Sequence, residues 1–329
     1  MEAVIAYRPT VIVVHAISHF LSPDDVLVLQ KATGAAVVWH LLDMASFTGG
    51  CHFAWDCRRY EATCGECPAL RFSYANDFSA RAWRAKARAM GQMKGVVVAG
   101  SSRLAGQARA SGLFRDWRIE MVPLGLTPEE FGTRPSEVER DHFDIPHDRT
   151  VVIFGVQNFF ERRKGIPLLF EALRQLKDML PPDGPAPYLL IAGKNAGAPD
   201  FNSLGFDYKY IGYVGAEALA RAYAAADIFV CPSIEDSGPM MVNEALMSGT
   251  PVVAFRMGVV PDLVKPGLSG EIAELGDAKS LAQCLARTIA WSPERRARAR
   301  VLCREIAMAE SASAVQVARF VAIAASLIA

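Results

Sequence analysis

The stretch DIFVCPSIEDSGPMMVNEALMSGTPVVAF, residues 227–255, decides the fold. A short apolar run ends at Cys231, a loop turns through Ser237, Gly238 and Pro239, and a helix begins near Met240. Glycine followed by proline is helix-start chemistry, because proline fixes φ and lacks only an N–H that the first turn leaves unpaired anyway. A second β-branched run, TPVVAF at 250–255, follows the helix, so the whole reads as strand, helix and strand of a parallel sheet. The helix start then stands at the carboxyl edge of that sheet, where its free amides and positive dipole end suit a phosphate. Asp236 lies in the loop and Glu244 just over one turn into the helix. These two carboxylates can face one crevice, where the hydroxyls of a ribose or hexose need acceptors; an N-cap and a solvated helix acid are the other reading.

Outward from this stretch, apolar runs recur at 10–15 (TVIVVH), 35–40 (AAVVWH), 95–100 (GVVVAG), 151–155 (VVIFG) and 188–193 (YLLIAG), separated by helical segments. Continuous apolar strands alternating with helices indicate parallel sheets covered on both faces. The polar stretch PSEVERDHFDIPHDR, 135–149, interrupts the rhythm and reads as a linker. The chain therefore divides into residues 1–138 and 139–310, with the Ala-rich segment 311–329 as a C-terminal helix. The second half is a doubly wound unit with helices near 165–180, 216–226, 240–248, 277–291 and 294–308. The first half offers about four strands and has no glycine before Gly34, so it lacks a Gly-rich opening turn.

Composition excludes several function classes. Lys plus Arg and Asp plus Glu both count 35, so no net field attracts nucleic acid. Apolar runs stay well short of the roughly 18 residues of a membrane helix, and the start MEAVIAYRP lacks a secretory pattern. Seven cysteines, an odd number, suit a reducing cytoplasm.

A second segment, FGVQNFFERRKGIPLLFEAL at 154–173, ends a strand at Gly155 and opens a helix after Lys164-Gly165, which lets a cation reach a diphosphate. Together the two segments resemble the retaining glycosyltransferases of family 4, the glycosyl transferase group 1, whose signature is an acid, seven residues, Glu-Ala and then G-T-P-V-V. The resemblance implies a GT-B fold: two Rossmann-like doubly wound domains facing a cleft, here with the N-terminal one incomplete at its start. It assigns the donor sugar to Asp236, with adjacent Glu235 as a second candidate, and the ribose to Glu244. The family's first acid is usually Glu, so Asp236 is a shortened version. Lys164 becomes the diphosphate ligand. An Arg that the family often carries five residues earlier is Phe159 here, which leaves Arg162 or Arg163 as replacements. The donor pocket is completed by Gly155, Gly193, the loop from Ser237 through Gly238 and Pro239 to Met240, and backbone near Tyr213 and Val214 that meets the base.

The N-terminal half carries Cys51, Cys57, Cys64 and Cys67 in the spacing C-x5-C-x6-C-x2-C. Two readings stay open: a structural tetrahedral zinc site, or buried thiols with an incidental disulfide. Similar TGGCH…C…C..CP segments occur in a polysaccharide-synthesis branch of family 4. That branch commonly has a His-Asp pair where this chain has Leu42-Asp43, and it leaves Asp43, Gly49 and Gly50 as cleft candidates. His40 reads as a satisfied structural histidine; His15 and His19 border the same region or serve as caps. Arg81, Arg84 and Arg88 recur at helical spacing, a solvated stripe or a peripheral dock at an acidic membrane surface.

The expected reaction moves a sugar from a nucleotide-diphosphate sugar to a saccharide or lipid-linked acceptor, with retention, in polysaccharide biosynthesis. No cofactor is required for it. A nucleotide-sugar epimerase of the same architecture and a non-catalytic nucleotide-sugar-binding subunit are the alternatives. A completing chain or a second copy are candidate partners, and the expected location is the cytoplasm or the inner membrane face.

Overall fold

The computed structural model describes residues 1–16, 20–182, 184–194 and 199–328; His19 lies outside them. The chain forms two units, Met1–Pro123 with Val317–Ala329, and Leu124–Gln316.

In the first unit, helix α1 (Glu2–Tyr7) precedes β1 (Val11–Val14), α2 (Pro23–Thr33), β2 (Ala36–Leu41), α3 (Phe78–Met90), β3 (Gly95–Ala99), α4 (Ser102–Ala110) and β4 (Arg118–Met121). The strands form one parallel sheet in chain order, β1-β2-β3-β4. Strand alternation sends Val37, Trp39, Leu41, Val97 and Ala99 to one face, where Met90, Leu104 and Phe114 cover them. Val38, Val96 and Val98 point the other way and would be left wet. The end of the chain covers them: α12 (Ser313–Ile328) lays Ile323, Phe320 and Leu327 on that face.

The second unit contains α5 (Ser136–Phe143), β5 (Val151–Val156), α6 (Ile166–Lys177), β6 (Tyr188–Gly193), β7 (Tyr208–Gly212), α7 (Ala216–Ala225) and β8 (Ile228–Cys231). Then follow α8 (Met240–Met247), β9 (Val252–Phe255), α9 (Val260–Leu263), β10 (Gly270–Ala273), α10 (Ala278–Ile289) and α11 (Pro293–Ser311). Thus the polar stretch 135–149 holds helix α5, whose Arg140 is buried and bonds Asp227 at 2.7 Å. The sheet is wholly parallel in the order β7-β6-β5-β8-β9-β10, a doubly wound arrangement whose first strand lies beside its fourth. Val152, Phe154 and Val230 face α6 and α10, whereas Val151, Ile153 and Phe229 face α7, α8 and α11. Both faces are dry, which is why these strands read as unbroken apolar runs.

Candidate functional site

Strand order reverses between β5 and β8, so the loops leaving these two neighbours diverge to opposite faces and leave a crevice at their carboxyl ends. Each candidate charge of the second unit's motifs stands on one of these loops or the helix after it. The loops are stitched together by backbone: Ile234 N–H donates to the Arg163 carbonyl at 2.8 Å. Gly165 makes that approach possible. Its φ is +65°, and a Cβ there would lie 1.9 Å from the Pro232 carbonyl oxygen, so no side chain fits.

The stitched loops bring three charged groups together. Lys164 Nζ and Arg163 Nη1 each donate to Asp236 Oδ2 at 2.8 Å, and Arg163 also pairs with Glu161. Asp236 is about nine-tenths buried, with its other oxygen accepting from Gly238 N–H at 3.3 Å. A carboxylate in such a place needs more than one donor, since its desolvation outweighs a single surface-type pairing. Arg163, one of the two replacements that the resemblance leaves for the arginine missing at Phe159 though neither stands at its offset, reaches the loop acid. Phe159 itself is core: its ring packs on Phe201, with 5.5 Å between centroids, and against Gly193.

The helices that open here lack side-chain caps. α6 starts at Gly165 and α8 at Pro239, and neither has a side chain accepting from its first turn. Such amides, at a helix amino terminus on a sheet edge, carry the positive end of the helix dipole, which is the chemistry an anion prefers.

Glu244 stands on α8 and accepts from the Tyr223 hydroxyl at 3.1 Å. Burial raises its pKa from 4.5 to about 7, against the lowering effect of the Tyr223 hydrogen bond. Tyr223 is wholly buried and its own pKa is raised by burial and by Glu244. Nothing in the Ala-rich helix around Tyr223 marks it in the sequence. Glu235 is buried beside Asp236, while Ser237, Gly238 and Met240 are half-buried around Pro239. Gly155 lets β5 and β6 approach, since a Cβ would meet the Ala192 carbonyl at 2.9 Å. Tyr213 is exposed with Lys194 Nζ 5.5 Å above its ring, and Val214 follows it in the loop before α7.

In the first unit, Asp43 Oδ2 bonds His52 Nδ1 at 2.6 Å and Asp43 Oδ1 accepts from Ala45 N–H. The pair lines a cavity of about 260 Å³ with His15, His40, Gly50 and Lys86. His52 is a partner that the sequence pattern does not reveal, because a turn through Thr48-Gly49-Gly50 brings it back. Gly49 is pressed against Ser79, whose carbonyl oxygen would be 2.4 Å from a Cβ. His40 differs from the satisfied histidine expected of it. Its Nδ1 meets His15 Nδ1 at 2.9 Å, but Nε2 is buried with no hydrogen-bond partner among the described residues. Burial, with His15 second, lowers its pKa to about 4. Arg81, Arg84 and Arg88 are exposed along α3, whereas Trp83 between them is buried.

Residues 148–290 match the family model described as "Glycosyl transferases group 1". A D-inositol 3-phosphate glycosyltransferase of Corynebacterium jeikeium is 31% identical over 183 residues, 52% of this chain and 43% of that protein. The amylovoran biosynthesis glycosyltransferase AmsK of Erwinia amylovora is 26% identical over 53% of this chain and 45% of its own length. The matched stretch thus spans less than half of these curated relatives. Among solved structures, Anabaena Alr3699/HepE in complex with UDP superposes with a TM-score of 0.72 at 18% identity, covering 99% of this chain and 81% of that one. The chain accordingly has the two parallel-sheet units of the GT-B fold, and its second unit is related to the glycosyl transferases of group 1.

Proposed function

We propose that the chain transfers a sugar from a nucleotide-diphosphate sugar to a saccharide or lipid-linked acceptor in polysaccharide biosynthesis, retaining anomeric configuration. The observation that carries this reading is the Asp236 carboxylate held between Lys164 and Arg163 where the second sheet reverses. Departure of the sugar leaves negative charge on a diphosphate, and two cations with uncapped helix amides are the groups that lower the barrier to it. An entering diphosphate competes with Asp236 for those cations and so frees the carboxylate for the hydroxyls of the sugar. Glu244, steadied by Tyr223, accepts from the ribose. Retention follows the group 1 resemblance: the leaving phosphate guides the acceptor hydroxyl to the face it departs from. The UDP bound to the Anabaena structure favours a uridine donor, and the amylovoran relative favours a polysaccharide product. Asp43 and His52 are the acceptor-side polar groups of the first unit, and the Arg81, Arg84 and Arg88 stripe suits an acidic membrane surface carrying a lipid-linked acceptor.

Thermal-shift screening of nucleotide sugars, followed by nucleotide-release assays with and without acceptor, tests the proposal. A shift with one donor and release that depends on acceptor is the expected result. Conversion of the donor without acceptor favours an epimerase, and binding without turnover favours a non-catalytic subunit. No shift with any nucleotide sugar overturns the donor site itself.

A further inference from the structure

Cys51, Cys57, Cys64 and Cys67 all line one small cavity, together with Thr48 and Tyr60. The other three cysteines are buried elsewhere, in the second unit, so the grouping belongs to this loop. At about 20 Å³ the cavity has room for one water-sized body and for no organic ligand. A water there would meet mainly weak thiol partners, whereas an ion of soft affinity would meet four ligands of the right kind.

The backbone around the cavity presents the sulfurs to it. Cys64, Gly65 and Glu66 run through positive φ (54°, 94° and 45°), which folds the final C-x2-C back on itself. Gly49 N–H donates to Cys64 Sγ at 3.3 Å, the backbone support that a thiolate ligand takes from its outer shell. The Lys86 ammonium stands near enough to Cys51 and Cys64 to offset negative charge there. Lys86 is itself anchored by the Thr48 carbonyl at 2.9 Å.

We propose that these four cysteines bind one zinc(II) ion as a structural tetrathiolate site. Binding expels four thiol protons, and the resulting site carries a charge of minus two that Lys86 partly offsets. Among the described residues no group of three or more His, Cys, Asp or Glu side chains already forms a coordination shell. The thiols must therefore turn inward across the cavity as they ionise. The site closes the 51–67 loop that leads from Asp43 and His52 to α3, and it is independent of the proposed donor chemistry.

Elemental analysis of the full chain, purified without chelator and then incubated with zinc chloride and desalted, is expected to find one zinc per chain. The cobalt(II)-substituted protein is expected to show sulfur charge-transfer bands and the intense visible bands of a tetrahedral thiolate site. Cys64→Ser with Cys67→Ser abolishes both, while Cys303→Ser keeps them. Should the double variant fail to fold, the stoichiometry and cobalt spectrum of the unaltered chain decide. Absence of zinc from the folded chain, a native disulfide between any two of the four, or zinc retained by a folded double variant overturns the proposal.

Discussion

The two units use the same parallel strands for different ends. In the first, every crossover steps the same way, β1-β2-β3-β4, so no pair of adjacent strands sends its loops apart. In the second, the chain starts mid-sheet and reverses between β5 and β8, where Lys164 and Asp236 meet. The helix starts nearest the reversal differ from several others, including α10 and α11 of the same unit, which Asp277 and Ser292 cap. α2, α3 and α4 are capped by Ser22, Asp77 and Ser101, whereas α6 and α8 begin at Gly165 and Pro239 with their amides unclaimed by side chains. The proposed donor site thus rests on topology and on uncapped starts, before any particular cation is considered. The polar groups of the first unit, His15 with His40 and Asp43 with His52, are turned instead toward one another.

The comparison breaks most visibly at Lys164. Lys164→Ala removes a full charge from the proposed leaving-group site, and turnover is expected to fall by on the order of 10²–10³-fold, the usual cost of one preorganised donor. Asp43→Asn in the first unit should leave nucleotide affinity unchanged and act through the acceptor. Steady-state kinetics with both substrates varied separates these outcomes; equal losses in the two variants would erase the distinction between the units.

Next in size is a contrast of two glycines with left-handed backbone. Gly34→Ala, φ +71° with open space around it, carries only the conformational cost of about 1 kcal/mol. Gly165→Ala adds a clash with the Pro232 carbonyl, and a loss of about 3 kcal/mol is expected from that overlap plus the backbone strain. Urea denaturation of both variants measures the difference. Similar midpoints would mean that the loops after β5 and β8 are not held together as described.

How much of this was legible beforehand depended on whether a signal was local. The strands 151–156, 188–193 and 252–255 announce themselves because both their faces are dry. β4, RIEM, and β10, GEIA, do not, since a polar or half-exposed edge strand has no continuous apolar run to notice. Lys164, Asp236 and Glu244 could be picked out because they flank the Gly-Pro and Lys-Gly helix starts. Tyr223, His52 and Lys86 could not: each meets its partner through a turn or a crossover, and no spacing in the chain encodes that return. His40 shows the opposite error. Its place in an apolar strand predicts burial but not the missing partner of Nε2.

Glu244 sharpens the comparison through pH. Glu244→Ala is expected to weaken nucleotide binding by about 1–2 kcal/mol, the scale of a lost half-buried hydrogen bond to a charged group, as calorimetry would show. For stability, a carboxyl raised from 4.5 to about 7 contributes fully below 4.5, and the contribution is lost as pH rises through about 7. His40, lowered from 6.5 to about 4, has the reverse sign: its contribution is present above 6.5 and lost as pH falls toward 4. Glu244→Gln should therefore remove the alkaline loss alone, a gain of about 1–2 kcal/mol at pH 8 relative to pH 5, at about 1.4 kcal/mol per unit before solvent screening. A flat difference between variant and parent across that range would mean that the carboxyl is ionised throughout.

The smallest effect tests the caps. Ser101 accepts from Leu104 N–H at 3.3 Å and closes the start of α4, so Ser101→Ala is expected to cost about 1 kcal/mol of stability. Because that amide already serves the fold, the same change should leave nucleotide affinity as it was. At α8 the logic inverts: under the proposed function its uncapped first-turn amides meet the ligand, so added nucleotide should raise the melting temperature of the chain and of Ser101→Ala by equal amounts. A smaller ligand-induced shift in Ser101→Ala would show that the capped helix starts of the first unit share in binding, and that an open start does not set α8 apart.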